Sequence, residues 1–330
     1  MNGTKIIKAL KSSLQTCIPA ICLLCLLHSC GQSNTLLPVP KQDISPNISF
    51  LNIRSICQDS MGYIWIATLH GLNRYNGYEF VQYFHDKTDE NSIGNDMVHL
   101  VYYDSHCRLW IGTFGGIDEF DFKTNRFIHY SNFMPSALFE TARGQILLAA
   151  IGGVYAINTL NNEIKPLSEE LSGVNYLWED GSMRLWAACN SGIAELQSDS
   201  TWKTYPLQDN RIAFNYFEDP KNLWWVGTNA GLAWFDHVKR IFVEPPSQCL
   251  NHPDLRLSKI TFLQEIEKFK LLIGTETNGF FLYDMMAQTL QHDEPWKLNK
   301  TGSKELLSSF VDNCENVWVG TFDRGISIWN

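Results

Sequence analysis

The residues of this chain best suited to chemistry are nine scattered histidines and a set of recurring aspartates. Neither group is arranged for catalysis. No two histidines form a close metal-ligand pair on one strand-like segment, and His-Glu-x-x-His does not occur. A Gly-x-Ser-x-Gly nucleophile elbow and a phosphate-cradling loop are likewise missing. The sequence therefore predicts no catalytic residue, no metal ligand and no cofactor. Asp59, Asp104, Asp180, Asp219 and Asp312 each precede a tryptophan: Trp65, Trp110, Trp186, Trp225 and Trp318. Carboxylates could hold calcium or exchange protons, and indoles could stack on sugars. A simpler account fits every copy: the aspartate accepts hydrogen bonds from the amides that follow it and closes a turn. The indole then packs between layers of sheet.

Those residues sit in a repeat. Ile56 to Thr68, followed by Gly71-Leu72 and Tyr75, recurs with Trp110, Gly112-Thr113 and Gly116-Ile117. It returns with Trp186 and Gly192-Ile193, with Trp225, Gly227-Thr228 and Gly231-Leu232, and with Trp318, Gly320-Thr321 and Gly325-Ile326. Leu147 and Leu272 hold the tryptophan place in two degenerate copies, which gives marker positions 65, 110, 147, 186, 225, 272 and 318. Spacings of 37 to 47 residues match the period of a propeller blade. The segments are short, β-branched and aromatic, with turn signals such as Asn76-Gly77 and, more weakly, Asn161-Asn162. Gly62 and Gly144, three residues before the marker, suit a tight turn. The predicted fold is all-β: a seven-bladed β-propeller of four-stranded antiparallel blades over residues 46–330. Phe80, Phe127 and Trp202 are expected on outer strands. The chain stops after the third strand of blade seven, so Asn47 to Leu51 is expected to supply its fourth strand and close the ring.

Ahead of the repeat, Lys5, Lys8 and Lys11 precede an apolar run from Cys17 to Leu27, a leader over residues 1–30. Leu27-His28-Ser29-Cys30-Gly31 resembles a bacterial lipobox, with Cys30 as the candidate lipidation site; ordinary cleavage and an uncleaved anchor are the alternatives. Residues 31–45 read as a linker. Export to the periplasm or the outer face of a bacterial membrane is expected, with membrane contact only through the leader, a lipid or a downstream helix. Cys57, Cys107, Cys189, Cys249 and Cys314, odd in number and widely spaced, suggest no disulfide framework. A formal charge of -9 makes nucleic acid a poor partner.

If the aspartates and tryptophans are architecture, binding falls to residues that do not repeat. The segment between second and third strands contributes His70, Phe114, Asn190, Asn229, Glu276, Asn278, Asp323 and Arg324. Eleven residues before each marker stand Arg54, His99, Ser136, Asn175, Phe214, Thr261 and Leu307, a mostly polar series on a strand otherwise apolar. A polar ring near a channel mouth, suited to a neutral hydroxylated ligand, would explain it, as would a solvated channel with no ligand. Arg54, His70, His99, Phe114, Asn175, Asn190, Asn229, Glu276, Asp323 and Arg324 are the candidate ligand-binding residues.

The motif Gln58-Asp59-Ser60-x-Gly62-x-Ile64-Trp65-Ile66-x-Thr68-x-x-Gly71-Leu72-x-Arg74-Tyr75 resembles the two-component regulator propeller repeat. That resemblance covers residues 46–330 and implies the extracytoplasmic sensor part of a hybrid two-component system of Bacteroides-like bacteria. It implies a small-molecule ligand, in many relatives an oligosaccharide, and a homodimer in a full-length sensor. The second propeller, immunoglobulin-like domain, membrane helix, kinase and DNA-binding output usual in such relatives are not visible in this sequence. A free-standing propeller that docks proteins is the alternative, and a propeller lyase or lactonase the third reading.

Overall fold

Five of the seven blades are each set by one aspartate carboxylate. Asp59 Oδ1 accepts the amides of Met61 and Tyr63 at 2.9 and 3.0 Å, and Oδ2 accepts the Trp65 indole N–H at 2.8 Å. The same three bonds recur at Asp104, Asp180, Asp219 and Asp312, where the indoles of Trp110, Trp186, Trp225 and Trp318 donate at 2.8 to 3.3 Å. The turn and the tryptophan strand are thus fixed by a single side chain. At Asp180, burial alone would push the carboxyl up, but the amides of Arg184 and Ser182 and the Trp186 indole outweigh it and hold it below its ordinary range.

The residue three before the marker takes positive φ in all seven copies: Gly62, Cys107, Gly144, Met183, Asn222, Phe269 and Glu315, between +57° and +88°. Only two are glycine. The left-handed region costs a side-chain-bearing residue ~1–2 kcal/mol, less what glycine loses in chain entropy. Met183, 57% exposed, gives up little packing. Met183→Gly is expected to raise stability by about 0.5–1 kcal/mol in chemical denaturation; an unchanged or lower midpoint would contradict the strain.

The computed structural model describes residues 47–131, 133–159, 161–168, 171–292 and 303–329. They all lie within one unit, Pro38–Asn330. The leader, Cys30 and the linker fall outside the described residues. Among the described residues, twenty-seven strands, β1 to β27 in chain order, form seven antiparallel sheets, six of four strands and one of three. Phe80, Phe127 and Trp202 lie on outer strands, as expected. The first strands of the blades are β1 (Ile53–Gln58), β5 (Val98–Tyr103), β9 (Pro135–Glu140), β13 (Tyr176–Glu179), β17 (Ala213–Glu218), β21 (Ile260–Glu267) and β25 (Leu306–Val311). Each contacts the next, and β25 contacts β1, so they line the inside of a closed ring.

The marker tryptophans fill the spaces between blades. Trp65 meets Phe120 of blade two at 4.9 Å, Trp186 meets Trp224 of blade five edge-on at 4.7 Å, and Trp318 meets Tyr75 of blade one at 6.2 Å. Thr68, Thr113, Thr228, Thr275 and Thr321 end their strands fully buried, each donating its hydroxyl to the carbonyl of the glycine that opens the third strand.

Closure differs from the expected strand exchange. Blade seven holds β25, β26 (Val317–Thr321) and β27 (Ile326–Trp329), and Asn47 to Leu51 form no strand. Those residues are tied down irregularly. The Ser49 amide donates to Asn73 Oδ1 at 2.9 Å, and the Gly325 amide donates to the Leu51 carbonyl at 3.0 Å. The ring closes face to face. Ser308 Oγ donates to the Ile53 carbonyl at 3.1 Å, and Ile53, Ile64, Ile66, Trp318 and Ile326 share one buried cluster across the joint.

Candidate functional site

Irregularity at the start of the first strands builds the channel mouth. In six blades the register skips one residue: Arg54, His99, Ser136, Phe214, Thr261 and Leu307. These are the positions eleven before the marker. A bulge takes a residue out of the ladder and re-aims its side chain. Asn175, the seventh, stands just before β13 and donates its own amide to Ala188.

Three of these seven side chains bridge to the next blade. His99 Nε2 contacts the Pro135 carbonyl, Ser136 Oγ donates to Val174 at 2.6 Å and Asn175 Nδ2 to Ala213 at 2.8 Å. Asn215, one residue on, donates to Ile260 at 3.0 Å, as Ser308 does to Ile53. Between blades six and seven, Phe262 shares a buried cluster with Leu306 and Val319 instead. Three of the five polar members thus latch one blade to the next, while Thr261 Oγ1 is buried without a hydrogen-bond partner.

Arg54 is different. The joint from blade one to blade two is held by Ser55 and Val101, and Arg54 makes no hydrogen bond or ion pair among the described residues. Its surface is open, yet burial pulls the guanidinium below its ordinary range, partly offset by the Glu276 carboxylate. That combination describes a cation flanked by protein yet open to solvent. His99 lies close enough to sense it: burial lowers the imidazole, the Pro135 bond opposes, and Arg54 lowers it further. The His99 ring meets Phe114 edge-on at 5.6 Å, and Phe114 is 49% exposed. Glu276 accepts Lys259 Nζ at 2.9 Å, and that ammonium lies 4.9 Å from the Phe214 ring centre. The mouth thus gathers Arg54, His99, Phe114 and Glu276 from the sequence-derived set, together with Lys259 and Phe214. Lys259, just before β21, carries no repeat signal that would have marked it.

The other candidates lie between the second and third strands of blades one, four, five and seven. His70 packs beside Phe50 and Phe84, and Asn190 rests against Gly173. Asp323 and Arg324 pair with each other at 3.4 Å. Asn229 accepts the Ile212 amide at 2.9 Å and lines an open cleft of about 830 Å³ with Arg211, Trp234, Phe242 and Arg256. Among the described residues one trio of possible metal donors occurs: His252, Asp254 and His292.

Residues 84–97 cross from blade one to blade two, pinned by His129. Its Nδ1 lies 2.6 Å from Asp118 Oδ1 and its Nε2 lies 2.9 Å from the Glu90 carbonyl, two acceptors that suit an imidazolium. The hydrogen bond to Asp118 raises its pKa, against burial. A raised folded pKa means stabilisation that is complete below about pH 6.5 and lost as pH rises through the raised value. Amide-exchange protection across residues 86–94 is expected to be greater at pH 6 than at pH 8.5 after correction for intrinsic rates. His129→Gln should remove that difference; equal protection in the wild type at both pH values would contradict it.

Residues 47–70 match the family model "Two component regulator propeller". That match covers one copy of the repeat. The extracellular domain of BT3049 from B. thetaiotaomicron, described as a hybrid two component system, is 21% identical with a TM-score of 0.76 over 89% of this chain and 42% of its own. That of BT4673 from the same organism, described as a one component system, is 20% identical with a TM-score of 0.67, over 91% and 42%. The chain thus spans about two fifths of either of these neighbours. A catalytically inactive virginiamycin B lyase from Staphylococcus aureus shares the fold at 11% identity and a TM-score of 0.68, over 88% and 98%. At these identities the likeness is one of fold. A comparison with curated proteins returns no match. No helix among the described residues is long and apolar enough to cross a membrane.

Proposed function

We propose that this propeller is the ligand-binding part of an extracytoplasmic sensor of a two-component system, and that its ligand is an oligosaccharide held at the channel mouth. The carrying observation is Arg54, a bulged arginine with no protein acceptor among the described residues while burial presses on its charge. A cation so placed gains most from a hydroxyl- or carboxylate-rich ligand, because a charge-assisted hydrogen bond replaces water it has partly lost. Phe114 and Phe214 supply aromatic surface beside it, and Glu276 supplies an acceptor for sugar hydroxyls. The family match and the likeness to extracellular domains described as two component and one component systems support the sensor reading. The protein performs no chemistry in this reading; it reports occupancy to segments that carry the output.

A thermal-shift screen of the purified protein against neutral and acidic oligosaccharides tests the ligand class. At least one should raise the melting temperature in a concentration-dependent way. A flat response across the panel in a cooperatively melting sample would overturn the oligosaccharide assignment.

A further inference from the structure

Folding brings together three donors that the sequence keeps far apart. His252 and Asp254 lie between blades five and six, where a 3-10 turn, Gln248–Asn251, leads into the short helix α1 (Pro253–Leu257). His292 ends β24 (Thr289–His292), the outer strand of blade six. One donor atom from each lies within 4.8 Å of the others, with Asp254 Oδ2 4.0 Å from His252 Nδ1 and 3.9 Å from His292 Nδ1. Both imidazoles rest on buried Phe281, His292 stacked at 4.1 Å and His252 edge-on at 5.5 Å.

Two further observations point the trio at a cation. His292 Nε2 lies 3.0 Å from the Asn278 carbonyl. A proton donated there leaves the lone pair of the neutral ring on Nδ1, the usual way an outer hydrogen bond orients a metal-binding histidine. His252 Nδ1 is buried and has no hydrogen-bond partner. A buried polar atom left in that state needs an explanation, and an ion is one. Asn278 also ties the two halves together, donating Nδ2 to Ser258 Oγ at 2.7 Å and to the Asp254 carbonyl at 3.3 Å.

We propose that His252, Asp254 and His292 bind one divalent transition-metal ion, zinc foremost. Two imidazoles and a carboxylate suit zinc, whereas calcium and magnesium prefer all-oxygen shells. Bonds of roughly 2.0–2.2 Å place tetrahedral donors about 3.3–3.5 Å apart, so each imidazole must close on the carboxylate by about half an ångström and the two imidazoles on each other by up to about 1.5 Å. Asp254, with a 52% exposed side chain, is free to turn inward, and water completes the shell. The ion would clip the α1 segment to the outer edge of blade six. Asn251 and Arg256 of that segment line the adjacent cleft, so the clip would also set the cleft's rim.

The full chain, stripped with a chelator, is titrated with zinc chloride by calorimetry. One ion per chain is expected, with Asp254→Asn and His292→Gln each weakening binding at least about 100-fold. Cobalt(II) should give visible d–d bands of a nitrogen and oxygen shell without a thiolate charge-transfer band, which separates the trio from the free cysteines. Zinc uptake unaffected by either substitution, a thiolate band, or no uptake by folded wild type would overturn the site. Asp254→Asn keeps the backbone carbonyl that Ser258 and Asn278 bond, so it remains a test even if His292→Gln fails to fold.

Discussion

Asp59→Ala is expected to destabilise the protein by about 3–5 kcal/mol, measured by urea denaturation. The side chain is 2% exposed and accepts three donors: the Met61 and Tyr63 amides and the Trp65 indole. Removing it leaves the indole N–H buried without a partner and deprives two turn amides of theirs, and each orphaned buried donor costs about 1–3 kcal/mol. Asp59→Asn tests the reading more finely. One amide oxygen can still serve the turn, but its NH2 would face the Trp65 N–H, donor against donor, so about half the loss should remain. A cost below about 1 kcal/mol for Asp59→Ala would mean that the turn stands without its carboxylate.

Trp186→Ala should cost a similar ~4–5 kcal/mol through a different mechanism. The ring is fully buried between blades four and five, 4.7 Å from Trp224, 5.6 Å from Tyr205 and 6.0 Å from Phe235, with the Arg240 guanidinium 5.1 Å away. Burying a tryptophan removes about 150–250 Å² from water, worth roughly 4–6 kcal/mol at 25 cal/mol per Å². Neighbouring rings this rigid cannot close the cavity. Trp186→Phe keeps most of the packing and loses only the bond to Asp180, so about 1–2 kcal/mol is expected. If the Phe and Ala variants denature at the same urea concentration, the hydrogen bond and not the packing dominates at this position.

The blade repeat was legible because it is written in residues whose alternatives are costly. Asp312 and Trp318 must be Asp and Trp for the bond between them, and Gly325, just before β27, sits at a φ of +75° that side chains avoid. Positions where backbone strain is tolerated left no such mark. Met183 and Phe269 take the same positive φ as Gly62 and could not have been recognised as turn residues by type. Closure of the ring was not legible, because Asn47 to Leu51 has strand-like composition while its fate is decided by Asn73 and Gly325, contacts remote in sequence.

The candidate site was legible only in part. The polar series eleven before the marker was visible, but its cause, a repeated bulge, depends on register between strands. Nothing in the residue types told a latch such as Asn175 from an uncommitted arginine such as Arg54; that difference lies in whether Ser55 already holds the joint. His252 and His292 were invisible as a pair because the crossover and the outer strand meet only in the folded chain.

The most direct test is a calorimetric titration of an oligosaccharide that shifts the melting temperature, run side by side on wild type and Arg54→Ala. Arg54 makes no bond that holds the fold among the described residues, so the variant should denature like the wild type. Losing a charge-assisted hydrogen bond to the ligand, about 1.5–3 kcal/mol, should weaken binding roughly 10- to 100-fold. Equal affinity in the two proteins, at equal stability, would contradict a ligand site at the channel mouth.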